Sequence, residues 1–339
     1  MLIRARAPLR ISFAGGGTDV PPFPEREGGC VLNATISKYT YGTLRPRADN
    51  RIRIESLDFG VQVDYAPDEV SRYDGTMDLV RAAVRKVKRR SSPGFDLFLH
   101  SDVPPGTGLG SSSSVMVTLV GLLKEYEELP LGDYEIADLA FSIERRELGI
   151  EGGYQDQYAA TFGGFNFMEF GRNRVIVNPL KVQRDTINEL EHNLLLCYTG
   201  GTRMSARIIE DQVGRYERGE AETLEGMRRL KQIAGEMKAA LLQGRLTEFA
   251  RLMNAAWENK QKMSHKIVTP HIHDMYGAAL RAGALGGKLS GAGGGGFMMF
   301  YCPFEKKHKV AAALKRLGGV VTDFGFDRHG LQTWKVNDG

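Results

Sequence analysis

A loop rich in glycine and serine, residues 104–114, has the composition of a phosphate-binding site. It reads PPGTGLGSSSS and lies between a predicted strand and a predicted helix. Free backbone N–H groups and the helix dipole favour anions at the start of a helix. The glycines let the main chain approach a polyphosphate closely, and the serine hydroxyls add donors and a candidate magnesium ligand. The loop therefore predicts polyphosphate binding, with a plain Gly/Ser-rich connector as the structural alternative.

Two familiar glycine motifs do not account for this loop. A dinucleotide-binding fingerprint with Gly106 and Gly108 requires a third glycine where the chain has Ser111. A Walker A loop ends in Gly-Lys-Ser or Gly-Lys-Thr, whereas Lys288 is followed by Leu289. The phosphate site is therefore neither a Rossmann loop nor a P-loop.

Strand and helix patterns on either side of the loop position it. The alternation over residues 95–100 predicts a strand that feeds the loop, and the apolar residues over 115–123 predict a buried helix reaching about residue 128. Asp133 is expected to cap the next helix. The buried face of that helix is formed by Ile136, Leu139, Ala140 and Ile143.

The second half of the chain has a different pattern. Long helices are predicted around residues 224–241 and 249–256, and short strands over 297–301 and 320–326. These patterns predict helices packed on an antiparallel sheet.

A chain of 339 residues exceeds the usual size of one domain. We therefore expect two domains, residues 1–185 and 186–339, with the boundary between 178 and 194. Hydrophobic residues at 42% and charged residues at 25% are ordinary globular values. The 45 Lys and Arg against 41 Asp and Glu are too evenly balanced to indicate a nucleic-acid binder.

The amino-terminal sequence MLIRARAPLRISF has no apolar signal-peptide core. No apolar run approaches the ~18 residues of a membrane span. Three scattered cysteines fit neither a disulfide framework nor a zinc site. We therefore expect a cytoplasmic protein with reduced thiols and no membrane partner.

Three motifs, in order, resemble those of the GHMP kinases, the superfamily of galactokinase, homoserine, mevalonate and phosphomevalonate kinases. Residues 104–112 match the nucleotide loop P-x-x-x-G-L-G-S-S, and residues 7–19 and 288–296 match the amino-terminal and carboxyl-terminal motifs. The resemblance implies an α+β fold, with an N-terminal domain like ribosomal protein S5 and a ferredoxin-like C-terminal domain. It also implies ATP binding by Pro105, Gly106, Thr107, Gly108, Leu109, Gly110, Ser111, Ser112, Ser113 and Ser114. The active-site glycine loop would comprise Ser290, Gly291, Ala292, Gly293 and Gly294.

The same resemblance assigns roles to four catalytic positions. Ser112 and Glu144 match the family's magnesium ligands, and Asp156 matches its aspartate general base. Arg10 matches the basic residue of the first motif, which can stabilise a developing alkoxide. A solvated Glu144 and a structural ion pair at Asp156 or Arg10 are the alternatives.

The substrate side of the site departs from galactokinase. Where galactokinase has Gly-Glu-His-Thr-Asp, this chain has Gly15 followed by Gly16, Gly17, Thr18 and Asp19, so a different sugar is implied. The substrate-binding residues expected from the resemblance are Gly16, Gly17, Thr18, Asp19 and Asp156. Arg203 is a candidate for a second anion pocket, with an ordinary turn as the alternative.

At subfamily level the motifs most resemble the D-glycero-D-manno-heptose 7-phosphate kinases. This resemblance implies ATP-dependent phosphorylation of the anomeric hydroxyl to a 1,7-bisphosphate, which feeds nucleotide-activated heptose for surface polysaccharide. The expected partners are a sugar phosphate and ATP with Mg²⁺, and a homodimer is left open. Two rival hypotheses are a kinase for an unphosphorylated sugar such as L-fucose and a non-catalytic sensor that binds ATP and sugar.

Overall fold

Two β-sheets organise the residues that the computed structural model describes, namely 1–58, 60–66, 73, 75–201 and 205–337. In these ranges the larger sheet contains eight strands, β1 (Leu2–Ala14), β2 (Gly29–Pro46), β3 (Ile52–Ser56), β4 (Val61–Tyr65), β5 (Phe95–Ser101), β6 (Phe165–Gly171), β7 (Arg174–Pro179) and β12 (Gln332–Val336). The smaller sheet contains β8 (Leu194–Tyr198), β9 (Gly286–Leu289), β10 (Phe297–Tyr301) and β11 (Val320–Thr322).

The helices pack on these sheets. They are α1 (Phe23–Glu27), α2 (Asp78–Val87), α3 (Ser111–Tyr126), α4 (Asp133–Phe141), α5 (Gln155–Phe162), α6 (Arg184–Asn193), α7 (Ser205–Glu217), α8 (Ala221–Leu242), α9 (Leu246–Gln261), α10 (Pro270–Ala282) and α11 (Phe304–Arg316). A π-helical turn, Ser142–Glu147, continues directly from α4. In the part of the chain described, none of these helices has the length and apolar character needed to cross a bilayer.

Strand β1 lies between β12 and β2 in the larger sheet, whose order is β12-β1-β2-β5-β3-β4, with β6 paired to β2 and β7 paired to β6. Its first residues alternate between buried and more accessible positions, and from Ala7 onward all are buried. The register with β2 shifts between Pro8 and Leu9, where proline lacks the N–H of a regular ladder. Arg10 follows this irregularity and is only 3% exposed.

The predicted strand and buried helix around the nucleotide loop are confirmed as β5 and α3. The predicted cap of the next helix is wrong. Asp133 is the first helical residue of α4, and the N-cap is Gly132, whose N–H donates to Glu135 Oε2 at 2.7 Å. Glu135, the third residue of the helix, therefore accepts from the backbone N–H of the N-cap residue, which is one half of a capping box.

The smaller sheet has the strand order of a ferredoxin-like domain. Its antiparallel order is β11-β8-β10-β9, with helices α7–α10 between β8 and β9 and α11 between β10 and β11. This βαββαβ arrangement confirms the predicted α+β fold with helices on an antiparallel sheet. The last predicted strand is shorter than expected, because β11 covers only Val320–Thr322.

One hydrophobic core connects the two sheets. Phe13 of β1 packs edge-on against Phe249 of α9, with ring centroids 5.1 Å apart. A second core lies between α2, α3 and the other half of the larger sheet. The division at residues 185 and 186 stays a prediction, and β12, which lies in the second range, pairs with β1 in the first.

Candidate active site

The nucleotide loop joins the end of β5 to the start of α3. Gly110 of this loop is the N-cap of α3 and adopts a left-handed conformation with φ 77°. Gly108 has φ 81°, and a Cβ there would lie 2.5 Å from the carbonyl oxygen of Ser290. Glycine is thus required by both the turn and the close approach of a second loop.

The loop residues divide into two groups. A cavity of about 330 Å³ is lined by Gly106, Gly108, Gly110, Ser111, Ser112 and Ser113. Three other predicted ATP-binding side chains point into the protein. Thr107 Oγ1 donates to the Pro104 carbonyl at 3.0 Å, Leu109 is fully buried, and Ser114 Oγ donates to the Pro8 carbonyl at 2.9 Å. These side chains shape the loop, whereas the first group can contact a ligand.

A second cavity lies on the other side of Ser111 and Ser112. It has a volume of about 570 Å³, and its apolar lining includes Met77, Leu99 and Val115. Pro105 also lines this cavity. A mostly apolar cleft adjoining a phosphate loop suits the base and sugar of a nucleotide. Sequence analysis did not locate this cavity.

Glu144 is buried beside the serines of the loop. Ser112 Oγ donates to its Oε1 at 2.7 Å, and Ser113 Oγ donates to its Oε2 at 2.8 Å. Gln157 Nε2 also donates to Oε2, at 2.6 Å. Glu144 lies on the π-helical turn and has no exposed surface, which rules out the solvated surface position.

The donor chemistry of this pair fits magnesium. Mg²⁺ prefers oxygen ligands and is commonly held by one or two carboxylates together with substrate phosphates and water. Ser112 and Glu144 offer a hydroxyl and a carboxylate next to the phosphate loop. Across the described ranges no cluster of three or more His, Cys, Asp or Glu side chains could hold a metal ion.

Asp156 faces the same cavity from the first turn of α5. Both Nε and NH2 of Arg10 contact its Oδ1, at 2.8 and 2.6 Å. Arg10 NH1 also donates to the carbonyl of Gly108 at 2.7 Å. The arginine thus links the predicted base to the nucleotide loop.

The first-motif loop forms another part of the cavity wall. Asp19 accepts hydrogen bonds from the N–H groups of Gly17, at 2.9 Å, and Gln155, at 3.2 Å. Burial raises the pKa of the Asp19 carboxyl and the nearby Asp156 adds to the rise, although the Gly17 N–H opposes it. Gly16 and Gly17 line the cavity.

Thr18 is a structural residue of this loop. Its hydroxyl donates to the carbonyls of Gly15, at 2.8 Å, and Cys30, at 3.0 Å, and it has no exposed surface. It does not line the cavity. Arg203, the predicted second-anion residue, lies outside the described residues.

The third-motif loop holds the nucleotide loop from the other side. Ser290 Oγ donates to the carbonyl of Gly108 at 2.9 Å, and Gly291 and Ala292 line the cavity. Gly293 and Gly294 instead pack against Ile267, whose carbonyl accepts from the Gly294 N–H at 2.8 Å. Of the five predicted loop residues, two therefore line the cavity, and the other three hold the loop in place.

Two buried lysines in this cavity were missed as site residues. Lys260 and Lys288 are 4% and 2% exposed. Lys260 continues the helical series of buried residues Met253, Ala256 and Trp257 in α9, so a lysine on an apolar face was the available signal. Lys288 directly precedes the third glycine motif.

Comparisons with known proteins agree with this geometry. Residues 78–164 match the family described as "GHMP kinases N terminal domain", and residues 237–319 match "GHMP kinases C terminal". A D-glycero-alpha-D-manno-heptose 7-phosphate kinase from Campylobacter jejuni is 41% identical over 98% of this chain and 99% of its own. The chain belongs to the GHMP kinases. The predicted family membership is thereby confirmed.

Two further proteins are similar to this GHMP kinase over most of its length. The crystal structure of a D-glycero-D-manno-heptose 1-phosphate kinase from Bacteroides thetaiotaomicron has a TM-score of 0.83 and 38% identity, and covers 99% of this chain and 100% of that one. The L-fucokinase/L-fucose-1-P guanylyltransferase of Bacteroides fragilis is 27% identical over 88% of this chain but only 34% of its own length. The fucokinase is thus the more distant relative.

Proposed function

We propose that the protein is an ATP-dependent kinase that phosphorylates the anomeric hydroxyl of D-glycero-D-manno-heptose 7-phosphate to give the 1,7-bisphosphate, a precursor of nucleotide-activated heptose. The observation that carries the proposal is that one cavity holds two carboxylates with different partners. Glu144 is bonded to the serines of the phosphate loop, and Asp156 is bonded to Arg10. A kinase needs one group on the metal side and another beside the acceptor hydroxyl.

The nucleotide loop supplies the phosphate site. Backbone N–H groups at the start of α3 and the hydroxyls of Ser112 and Ser113 face the cavity and can donate to the β- and γ-phosphates. The nucleoside would occupy the apolar cavity beyond Ser111. Mg²⁺, held by Ser112 and Glu144, would neutralise phosphate charge when bound.

Asp156 would accept the proton of the anomeric hydroxyl as transfer proceeds. The bonds from Arg10 fall on Oδ1, which leaves Oδ2 available to the acceptor. Arg10 orients the carboxylate and offers positive charge near the transferred group. Asp19, in the first-motif loop, would accept hydrogen bonds from other sugar hydroxyls.

Similarity to the Campylobacter jejuni enzyme along nearly the whole chain favours heptose 7-phosphate over fucose. The name of the Bacteroides thetaiotaomicron structure specifies a 1-phosphate, so the position of the new ester is part of the test. The retained Ser112, Glu144 and Asp156 favour an enzyme over a sugar sensor.

A panel of acceptors tests the proposal. ATP consumption by the purified protein with Mg²⁺ is measured with heptose 7-phosphate, L-fucose, galactose and mannose. We expect the largest kcat/KM with heptose 7-phosphate. A clear preference for fucose would overturn the heptose assignment, and ATP binding without consumption on any sugar would favour the sensor.

A further inference from the structure

The two buried lysines reach the acceptor side of the cavity from the second half of the chain. Lys260 Nζ, near the end of α9, donates to the carbonyl of Gly16 at 3.2 Å. Lys288 Nζ, in β9, donates to the carbonyl of Ser12 at 2.6 Å. Both carbonyls belong to the first motif, so both lysines lie against the part of the cavity wall that this motif forms.

Among the described residues neither lysine forms a direct ion pair, although the charge of Asp19 acts on Lys260. Within the described ranges neither lysine has an Asp or Glu oxygen within 4.0 Å, and each ammonium uses one of its three donors on a carbonyl. Burial lowers the pKa of Lys260 to about 8, with Asp19 opposing the fall and Arg10 adding to it. Burial also lowers the pKa of Lys288 well below its ordinary value, and the charges of Lys260 and Arg10 add to that fall. A buried cluster of cations is unfavourable unless an anion joins it.

Polar atoms without partners surround the same space. Ser12 Oγ and Gln155 Oε1 are buried and have no hydrogen-bond partner. A Cβ on Gly16 would lie 3.2 Å from Ser12 Oγ and 3.5 Å from Gln155 Nε2, so Gly16 leaves this space open. Buried polar groups are ordinarily satisfied, and all these residues line the cavity.

The phosphates of ATP already have their own site. The nucleotide loop offers them the start of α3 and the hydroxyls of Ser112 and Ser113. The lysines bond instead to β1 and to the loop that carries Asp19. The loop that carries Asp19 is the part of the cavity to which the proposed function assigns the acceptor.

We propose that Lys260 and Lys288 bind the phosphate monoester that the acceptor already carries, with Ser12 Oγ as an additional donor. This proposal rests on the proposed function, because it assumes that the acceptor is a sugar phosphate. The γ-phosphoryl group of ATP, although it is an anhydride, presents the same kind of anionic terminal oxygens, so the experiment separates the two sources.

The variants Lys260→Met and Lys288→Met are compared with Lys262→Met, which removes a lysine that pairs with Glu225 and does not line the cavity. For each, kcat and KM are measured with heptose 7-phosphate, with the same heptose lacking its phosphate, and with ATP. We expect KM for the sugar phosphate to rise ~10-fold or more in both test variants, as for loss of a charge-assisted contact. KM for ATP and kcat/KM for the unphosphorylated sugar should stay within ~2-fold of wild type.

Equal losses of kcat on both sugars, or a rise in KM for ATP, would show that the lysines serve the transferred phosphoryl group and would overturn the proposal. If a methionine variant does not fold, inhibition of the wild-type protein by inorganic phosphate tests the proposal instead. It should inhibit competitively against the acceptor and not against ATP, and the reverse pattern overturns the proposal.

Failure of the proposed function is distinguishable from failure of this site. If wild type does not phosphorylate heptose 7-phosphate, the proposed function fails. The lysine site is then tested by thermal shift with inorganic phosphate, which should stabilise wild type and Lys262→Met but not Lys260→Met. An equal shift in all three proteins would overturn the site.

Discussion

The guanidinium of Arg10 contacts a single oxygen of Asp156, with Nε at 2.8 Å and NH2 at 2.6 Å from Oδ1. Among the described residues no hydrogen bond reaches Oδ2. The side chain of Asp156 is 19% exposed and that of Arg10 only 4%. One face of the carboxylate is therefore fixed by a buried cation, and the other is open to the cavity.

Replacing Asp156 with asparagine should abolish proton acceptance and keep the side-chain shape. We expect Asp156→Asn to lower kcat by ~10²- to 10⁴-fold, the usual range for loss of a general base. ATP affinity should stay within ~2-fold, because the serines of the nucleotide loop are untouched. Steady-state kinetics and nucleotide titration measure both quantities.

The matched control is Asp133→Asn, at an exposed position that begins α4 away from the cavity. It should retain wild-type turnover. Near-normal turnover in Asp156→Asn would refute the role of Asp156 as the base.

Replacing Glu144 with glutamine tests the magnesium proposal. The amide oxygen can still accept from Ser112 or Ser113, so the fold should persist, but the charge that would hold Mg²⁺ is lost. We expect the Mg²⁺ concentration for half-maximal activity to rise ~10-fold or more. Activity is titrated with MgCl₂ at fixed ATP.

Glu147→Gln is the control for this change, because Glu147 lies on the same π-helical turn and pairs with Arg85 instead. Its Mg²⁺ dependence should match wild type. An unchanged Mg²⁺ dependence in Glu144→Gln would remove Glu144 from the metal site.

Short contiguous motifs in the sequence predict much of the candidate site. The Gly/Ser-rich segment at the start of α3 predicts a phosphate site, and the family resemblance identifies Ser112, Glu144 and Asp156, which the structure brings to one cavity. A glycine loop at the start of a helix can bind phosphate through its own backbone N–H groups, so the sequence predicts its function without knowledge of tertiary contacts. These are the residues that sequence reasoning could find.

The rest depends on distant parts of the chain. Lys260 reaches Gly16 across 244 positions, and its spacing on α9 resembles that of an ordinary core residue. Thr18 lies within the first motif, yet its hydroxyl turns toward Cys30 rather than the cavity. Strand β12 pairs with β1 across nearly the whole chain. Such contacts follow from packing, which periodicity and motif spacing do not reveal.

A methyl group at Gly108 should disturb the contact between two glycine loops. The new Cβ would lie 2.5 Å from the Ser290 carbonyl oxygen, at φ 81°. We expect Gly108→Ala to lower the free energy of unfolding by at least ~1–2 kcal/mol and to raise KM for ATP. Urea denaturation and kinetics measure these effects.

Gly171→Ala is the comparison, because its Cβ would meet no atom within 4 Å and its φ is not in the left-handed region. That variant should keep wild-type KM. If Gly108→Ala has the same stability and KM as Gly171→Ala, the two loops are not coupled as the structure indicates.

Burial of Lys260 predicts a pH-dependent stability change. Its pKa falls from 10.5 to about 8 on folding, chiefly through burial, with Asp19 opposing and Arg10 adding; Lys288 is the other nearby cation. Below pH 8 both states hold the proton and the native state bears the full cost, on the order of 3 kcal/mol. Between pH 8 and 10.5 only the unfolded state retains the proton, so that cost shrinks as pH rises.

We therefore expect Lys260→Met to raise the free energy of unfolding of the ligand-free protein at pH 7, with a smaller gain at pH 10. Denaturation at both pH values measures the difference, and Lys262→Met should show no such trend. A gain that is larger at pH 10 than at pH 7 would mean that Lys260 is stabilised by its surroundings as a cation.

The most direct test of the kinase proposal is phosphorus NMR of the product formed from heptose 7-phosphate, ATP and Mg²⁺. We predict two sugar phosphate resonances, the original ester at carbon 7 and a new one coupled to the anomeric proton, formed in equal amount with ADP. A new ester on another carbon, or inorganic phosphate as the only phosphorus product beside ADP, would contradict it.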